Sequence, residues 1–314
     1  MRRDVKAEMG AAFMTTSQTE IEIATQPDCW QRAIALARRP DGPASAAVPG
    51  RGERVAVVGC GTSWFMAQAY AALREADGQG ETDAFPASAL PTGRRYDRVI
   101  ALTRSGTTTE VLELLHALAG RTPTVAVTAV PDSPVGRAAD AVVALDFADE
   151  QSVVQTRFAT TELVLLRALL GHDLESLPAQ GASALAEPLP DELLAAEQFT
   201  FLGQGWTYGI AQEAALKMRE AAGAWTEAYP AMEYRHGPIS IAGPNRVVWW
   251  FGDPDQLPAG LPDEIARTGG RLVARGRDAV ADLVVAQRLA AALGTARGLD
   301  PDRPRHLTRS VILP

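Results

Sequence analysis

One pattern constrains the fold of this chain more than any other feature: an apolar run ends in glycine, opens directly into a helix, and occurs twice. Arg54-Val-Ala-Val-Val-Gly59-Cys-Gly61-Thr-Ser63 leads into Phe65, Met66, Ala69, Tyr70 and Leu73 at helical spacing, as a buried strand feeding a helix would. Arg98-Val-Ile-Ala-Leu-Thr103 is a second predicted strand, followed by Val111, Leu112, Leu114, Leu115 and Leu118 on a helix. Pro123-Thr-Val-Ala-Val-Thr128 and Ala141-Val-Val-Ala-Leu145 are a third and a fourth. The same grammar returns in Phe199-Thr-Phe-Leu-Gly203-Gln-Gly205-Trp206, Arg246-Val-Val-Trp-Trp-Phe251 and Arg271-Leu-Val-Ala274. Gly203 follows Gly59, Val247 follows Val99 and Leu272 follows Val125 at nearly constant spacing, which indicates a duplication. Strands alternating with helices call for a parallel sheet covered on both faces. The predicted fold class is therefore α/β, with two tandem lobes, each a doubly wound parallel sheet flanked by helices in a flavodoxin-like or Rossmann-like αβα arrangement. Residues 1–28 read as an N-terminal extension and helix and 29–175 as the first lobe. Residues 176–192 read as a linker rich in Pro, Ala and small polar residues, and 193–314 as the second lobe.

With 314 residues, 46% hydrophobic and 22% charged, the chain has enough apolar material for two such cores. Its 30 basic and 38 acidic residues give a net charge of −8 with no basic run, which argues against nucleic acid or an anionic membrane as partner. Cys29 and Cys60 fit no C-x-x-C or zinc spacing, and no metal is expected. The N-terminus lacks the apolar stretch of a signal peptide, and no uncharged run of about 18 residues marks a membrane span. The expected setting is reducing and cytoplasmic. Met9 and Met14 leave the native start open. The only lysines are Lys6 and Lys217, and arginine cannot perform lysine's covalent chemistry.

In open parallel sheets, ligands bind beyond the carboxyl ends of the strands. There the first lobe carries Gly61-Thr62-Ser63 and Thr103-Arg104-Ser105-Gly106-Thr107-Thr108, short hydroxyl donors beside glycine where helices begin. Such a cradle suits a phosphate monoester, although the same residues also serve simply as helix caps. Gly59-Cys-Gly61 begins like a dinucleotide fingerprint but has Trp64 at the third glycine, and no Walker motif appears, so no nucleotide cofactor is expected. In the second lobe Glu213, Lys217 and Glu220 fall at i, i+4 and i+7, on one face of a helix. They read as a solvated salt-bridge ladder or as a buried face on which a carboxylate has a raised pKa and acts as a base. The small apolar company of Ala211, Ala214, Ala215, Met218, Ala221 and Ala222 favours the second reading. Glu227-Ala-Tyr-Pro-Ala-Met-Glu233-Tyr-Arg-His236-Gly-Pro238 reads as a polar loop or short helix, and His236 is the best acid–base candidate of the four histidines.

Taken in order, Gly-Cys-Gly61-Thr-Ser63, Thr103-x-Ser105-Gly106-x-Thr108, Ala214-Ala-Leu-Lys217-Met-Arg-Glu220 and Glu233-Tyr-Arg-His236-Gly-Pro238 resemble the sugar isomerase (SIS) family. From about residue 20 to 314 the chain looks like the isomerase half of glucosamine-6-phosphate synthases, without their glutaminase half. The resemblance implies that Gly61, Thr62, Ser63, Thr103, Arg104, Ser105 and Thr108 bind a sugar 6-phosphate, with Arg104 where the synthases have glutamine. It implies that Glu220 moves the proton between C1 and C2. It also implies that His236 opens the sugar ring by reaching into the neighbouring subunit's site, so that a homodimer is expected. Glu150-Gln-Ser-Val153-Val-Gln155-Thr-Arg157 resembles a stretch near the substrate, and Val153, Gln155, Lys217 and Glu233 are expected to bind it.

The departures narrow the chemistry. Arg309, expected in a catalytic role, stands where the synthases have a Schiff-base lysine. Arginine forms no such imine, though it can hold an oxyanion or hydroxyl. Gln155 replaces a serine and Ala89 a glutamate. Without that lysine and a glutaminase half, glucosamine synthesis is not expected. What remains is C2 proton abstraction from an open-chain 2-amino- or 2-acetamido-hexose 6-phosphate, giving aldose–ketose isomerisation or deamination. Elimination of the C3 hydroxyl from N-acetylglucosamine 6-phosphate, a dehydratase reaction, is the alternative. A non-catalytic sugar-phosphate sensor is the reading from another class.

Overall fold

The computed structural model describes residues 16–39, 42–91 and 93–313, so Lys6, Met9 and Met14 lie outside the described residues. Two helices come first, α1 (Gln18–Ala24) and α2 (Gln26–Ala37). Ser17 and Glu20 close a reciprocal capping box at the start of α1, satisfying backbone donors that a helix end leaves open.

The first lobe runs β1 (Val55–Gly59), α3 (Thr62–Ala76), β2 (Thr82–Pro86), β3 (Arg98–Thr103), α4 (Thr109–Leu118), β4 (Thr124–Thr128), α5 (Pro134–Ala138) and β5 (Ala141–Ala144). Its sheet is parallel throughout, in the order β2-β1-β3-β4-β5. Helices α6 (Arg157–Leu169), α7 (Leu177–Ala186) and α8 (Asp191–Leu194) lead to the second lobe. That lobe comprises β6 (Gln198–Gly203), α9 (Thr207–Ala222), β7 (Thr226–Pro230), β8 (Arg246–Trp250), α10 (Leu261–Thr268) and β9 (Arg271–Ala274), and α11 (Ala279–Ala296) follows it. Its parallel order β7-β6-β8-β9 repeats the first four strands of lobe one, as the duplicated pattern predicts.

The central strands were legible because they are buried on both faces: every residue of β1, β4 and β6 is buried. The edge strands β2 (Thr-Asp-Ala-Phe-Pro) and β7 (Thr-Glu-Ala-Tyr-Pro) are only half buried and carry mixed residues, so no apolar run announces them. Glu227 and Tyr229, read as part of a loop or short helix, therefore lie on an edge strand. Part of the stretch read as a linker is also structured. Leu177, Gly181 and Ala184 of α7 are buried, and Arg288 of α11 donates to the Ala184 and Glu187 carbonyls at 2.9 and 2.6 Å.

Helix α11 is long and apolar enough to cross a membrane by length and composition alone. In this fold its apolarity is that of a helix surrounded by protein, with Val280, Leu283, Val284, Val285 and Leu289 fully buried.

Strand order reverses between β1 and β3, and the two helices that follow them leave on opposite faces, opening a crevice at the carboxyl ends. The lobes meet where α3 crosses α9. At the crossing Gly209 is buried, and a Cβ there would lie 2.4 Å from the Phe65 carbonyl oxygen and 3.0 Å from the Ala69 nitrogen. Backbone atoms cannot swing aside as a flexible side chain can, so Gly209→Ala forces the helices apart. We expect it to lower unfolding stability by about 1–3 kcal/mol, measured as a reduced denaturant midpoint at unchanged slope.

Candidate active site

The crevice is a cavity of about 240 Å3. Gly61, at φ +54, turns the chain out of β1 and caps α3, a conformation that side chains disfavour. This sets Thr62 and Ser63 in the first turn of α3. Thr103, Arg104 and Ser105 leave β3, and Thr108 caps α4. All of them line the cavity, together with Gly61, Val153 and Gln155. Two helix N-termini and several hydroxyls thus converge, an arrangement that favours an anion. Cys60 lines the same wall but is no nucleophile, because burial, with Glu110 beside it, pushes its thiol up to about 12.

The chain's last segment closes the far side. The Val153 amide donates to the Asp302 carbonyl and the Thr109 amide to that of Val311, both at 3.1 Å. Leu307, Thr308, Arg309, Ser310 and Val311 form a wall of the cavity. Arg309 faces it in an ion pair with Asp149 and donates to the Glu150 carbonyl.

Across from the cradle stands α9, which brings Glu213, Lys217 and Glu220 together. Glu213 and Lys217 are buried and Glu220 nearly so, which decides against the solvated ladder. The Lys217 ammonium lies 2.5 Å from Glu220 Oε2 and 3.4 Å from Glu213 Oε1, and donates to Thr62 Oγ1 at 3.1 Å. Burial by itself would lower the Lys217 pKa, but the two carboxylates outweigh it and hold the amine above its ordinary value. Burial pushes Glu213 up to about 7, against the pull of Lys217. Glu220 opens into the cavity. Lys217 itself does not line the cavity. It contacts Glu220 and Thr62, which do line the cavity.

The SIS domain family matches residues 51–170. Residues 51–170 are a SIS domain. Over 261 residues, 68% of this chain and 43% of the relative, the chain is 29% identical to a glutamine–fructose-6-phosphate aminotransferase (isomerizing) of Pyrobaculum aerophilum. It spans about half the length of the curated relatives it matches. A glucosamine-6-phosphate deaminase structure from Thermotoga maritima superposes with TM-score 0.79 at 24% identity, over 95% of this chain and 100% of that one. The C-terminal domain of glucosamine-fructose-6-phosphate aminotransferase from Francisella tularensis gives 0.77 at 22% identity, over 93% and 99%. At these identities the structural likeness is one of fold.

Other expected site residues of the chain are placed differently. The Arg104 guanidinium is committed to protein. It donates to Glu150 at 3.3 Å, to the carbonyls of Ser152 and Val153 at 3.1 and 3.3 Å, and to that of Arg309 at 3.1 Å. It therefore fastens the 150–153 loop and the C-terminal segment while also lining the cavity. Glu233 and His236 are exposed on a single turn of 3-10 helix, Glu233–His236, and neither lines the cavity of its own chain.

Several residues that build the site were given no individual role from sequence. The Thr107 hydroxyl bridges Ser105 Oγ at 3.1 Å and Ser310 Oγ at 2.8 Å, tying cradle to tail. Glu150 accepts from the Thr156 and Arg157 amides at 2.6 and 2.8 Å, capping α6. Glu22 accepts from the Gln151 amide at 2.5 Å. Glu162 is fully buried. Burial pushes its carboxyl well up against the help of the Ser63 hydroxyl, and the nearby Glu213 and Glu150 add to the rise. Its signal was available: it is a lone acid in the apolar stretch Phe158-Ala-Thr-Thr-Glu-Leu-Val-Leu-Leu166.

A carboxyl whose folded pKa is raised binds its proton more tightly in the folded state, so its contribution is complete below the unfolded pKa and is lost as pH rises through the folded one. For Glu213 that window runs from its ordinary 4.5 to about 7, and Glu162 acts in the same direction. We expect unfolding stability to fall across this window and the fall to be shallower in Glu213→Gln, as read from urea titrations at successive pH values. An equal slope in the two proteins would place the titration elsewhere.

Proposed function

We propose that this SIS chain acts on a 2-amino- or 2-acetamido-hexose 6-phosphate, with Glu220 taking the C2 proton of the open-chain sugar to give isomerisation or deamination. The observation that carries this reading is a carboxylate opening into a hydroxyl-lined cavity while a buried lysine at 2.5 Å neutralises its surroundings. In the proposed pose the phosphate sits at the N-termini of α3 and α4, where helix dipoles and the hydroxyls of Ser63, Ser105 and Thr108 stabilise it. C1 and C2 then reach toward α9. Proton transfer through one base positioned on both carbons needs no cofactor, because the enediol or enolamine carries the electrons between them. Lys217 keeps Glu220 in place and balances its charge.

C3 elimination from the N-acetylated sugar is the second reading. It is favoured by Arg309, whose guanidinium forms no imine and is already paired with Asp149. Proton NMR in D2O with glucosamine 6-phosphate and with N-acetylglucosamine 6-phosphate separates the two. Loss of the H2 signal with a ketose product supports the first reading, a vinylic product the second, and binding without either supports a sensor. For the first reading we expect Glu220→Gln to reduce H2 exchange by about 10²–10⁴-fold, the usual contribution of a positioned base, with sugar-phosphate affinity measured by calorimetry nearly unchanged.

His236 fits the reading as a ring-opening residue donated to a neighbouring subunit in a homodimer. Mixing inactive Glu220→Gln and His236→Asn chains after denaturation and refolding is then expected to restore about a quarter of wild-type turnover, since half the random dimers regain one intact site of two. No restoration would assign both residues to one chain's site.

A further inference from the structure

A second cavity, of about 440 Å3, adjoins the cleft and is larger than it. Glu220 and Leu307 line both. Leu216, Leu299 and Pro304 make part of its wall apolar, and the exposed residues Arg219, Arg303 and Arg305 also line it. Among the described residues, none of these three arginines makes an ion pair within 4.0 Å. Arg219 donates from one nitrogen to the Thr226 carbonyl and hydroxyl at 3.3 and 3.2 Å, which leaves its remaining donors without partners among the described residues. The two acids of the cavity are both engaged. Glu220 is held by Lys217 at 2.5 Å, and Asp300 Oδ1 accepts from the Asp302 amide at 2.9 Å.

Such a site has net positive charge, and guanidinium groups pair with carboxylates through parallel hydrogen bonds. We infer that it is a subsite for a carboxylate-bearing substituent on the nitrogen of the amino-sugar 6-phosphate. The inference rests on the reading that Glu220 serves C1 and C2. With the phosphate anchored at the cradle, the carbons and the nitrogen they carry face Glu220, and a group extending from that nitrogen passes into the second cavity. The substrate class is thus an amino-hexose 6-phosphate with an anion at each end, one gripped by helix N-termini and the other by arginines. The nitrogen is a secondary amine carrying a carboxyalkyl group, or an amide carrying a second carboxyl.

Calorimetric titration of the full chain tests this with four compounds: glucosamine 6-phosphate, its N-acetyl derivative, its N-carboxymethyl derivative as the amine form and its N-succinyl derivative as the amide form. We expect at least one carboxylate-bearing compound to bind about tenfold or more tightly than the N-acetyl compound, as charge-assisted hydrogen bonds allow. The tighter of the two identifies the linkage. In the Arg303→Ala/Arg305→Ala variant that advantage is expected to fall to about twofold or less, while N-acetylglucosamine 6-phosphate binds as before, which shows that the fold and cleft are intact. Binding of the N-acetyl compound with no advantage for either carboxylate would overturn the subsite and leave the proposed function standing. An advantage that survives the double substitution would also overturn it. If none of the four binds, the amino-sugar reading fails and the subsite with it.

Discussion

Lys217 imposes the condition on which the arrangement of both lobes depends. An ammonium group 1% exposed cannot stay charged in protein without close partners. Its partners are Glu213 and Glu220 from its own helix and the Thr62 hydroxyl from the first turn of α3 in the other lobe. Removing one member of such a buried pair typically costs about 3–5 kcal/mol, because the other is left uncompensated. Thr62 follows Gly61 at the end of β1, so satisfying the lysine also sets the height and rotation of α9 against the hydroxyl cradle. The close approach of the two helices at Gly209 makes that contact reachable.

Around this lysine the interior is unusually acidic, and each buried carboxyl is handled differently. Glu150 is held by the amides that open α6 and by Arg104. Glu22 is held by amides of the loop that follows Glu150. The Glu162 carboxyl is pushed well up, because desolvation outweighs the help of the Ser63 hydroxyl. These groups fix the loops that wall the cavity, which pre-organises it before any ligand arrives. The C-terminal segment is held more lightly, by a few backbone contacts, the Thr107–Ser310 hydroxyl pair and two arginines, while Leu307, Val311, Ile312 and Leu313 remain largely exposed. The segment contributes residues to the walls of both cavities.

How far the sequence could be read depended on how local each signal was. Continuous apolar strands such as Val55–Gly59 declare themselves because burial on both faces requires them. The edge strand at Thr226–Pro230 could not be found that way, since Glu227 and Tyr229 are only partly covered. The helix at Leu177–Ala186 was hidden by Pro and small residues that also suit a loop. The cradle residues Ser63, Ser105 and Thr108 were legible from their place beside glycine after a strand. Arg104 was legible as a neighbour of the cavity, but nothing local told which way its guanidinium would turn.

The sequence by itself determined the parallel α/β class, the duplicated lobes and the hydroxyl cradle. Strand and helix periodicities and the glycine that turns one into the other are properties of short segments. Only the tertiary structure decided that Glu213 and Lys217 are buried rather than solvated, that Lys217 contacts Glu220 and Thr62 without lining the cavity, and that a second, arginine-lined cavity meets the first at Glu220. Desolvation and Coulomb energies depend on which distant residues surround a group, as with Thr62 and Lys217, 155 positions apart. No window along the chain holds that information.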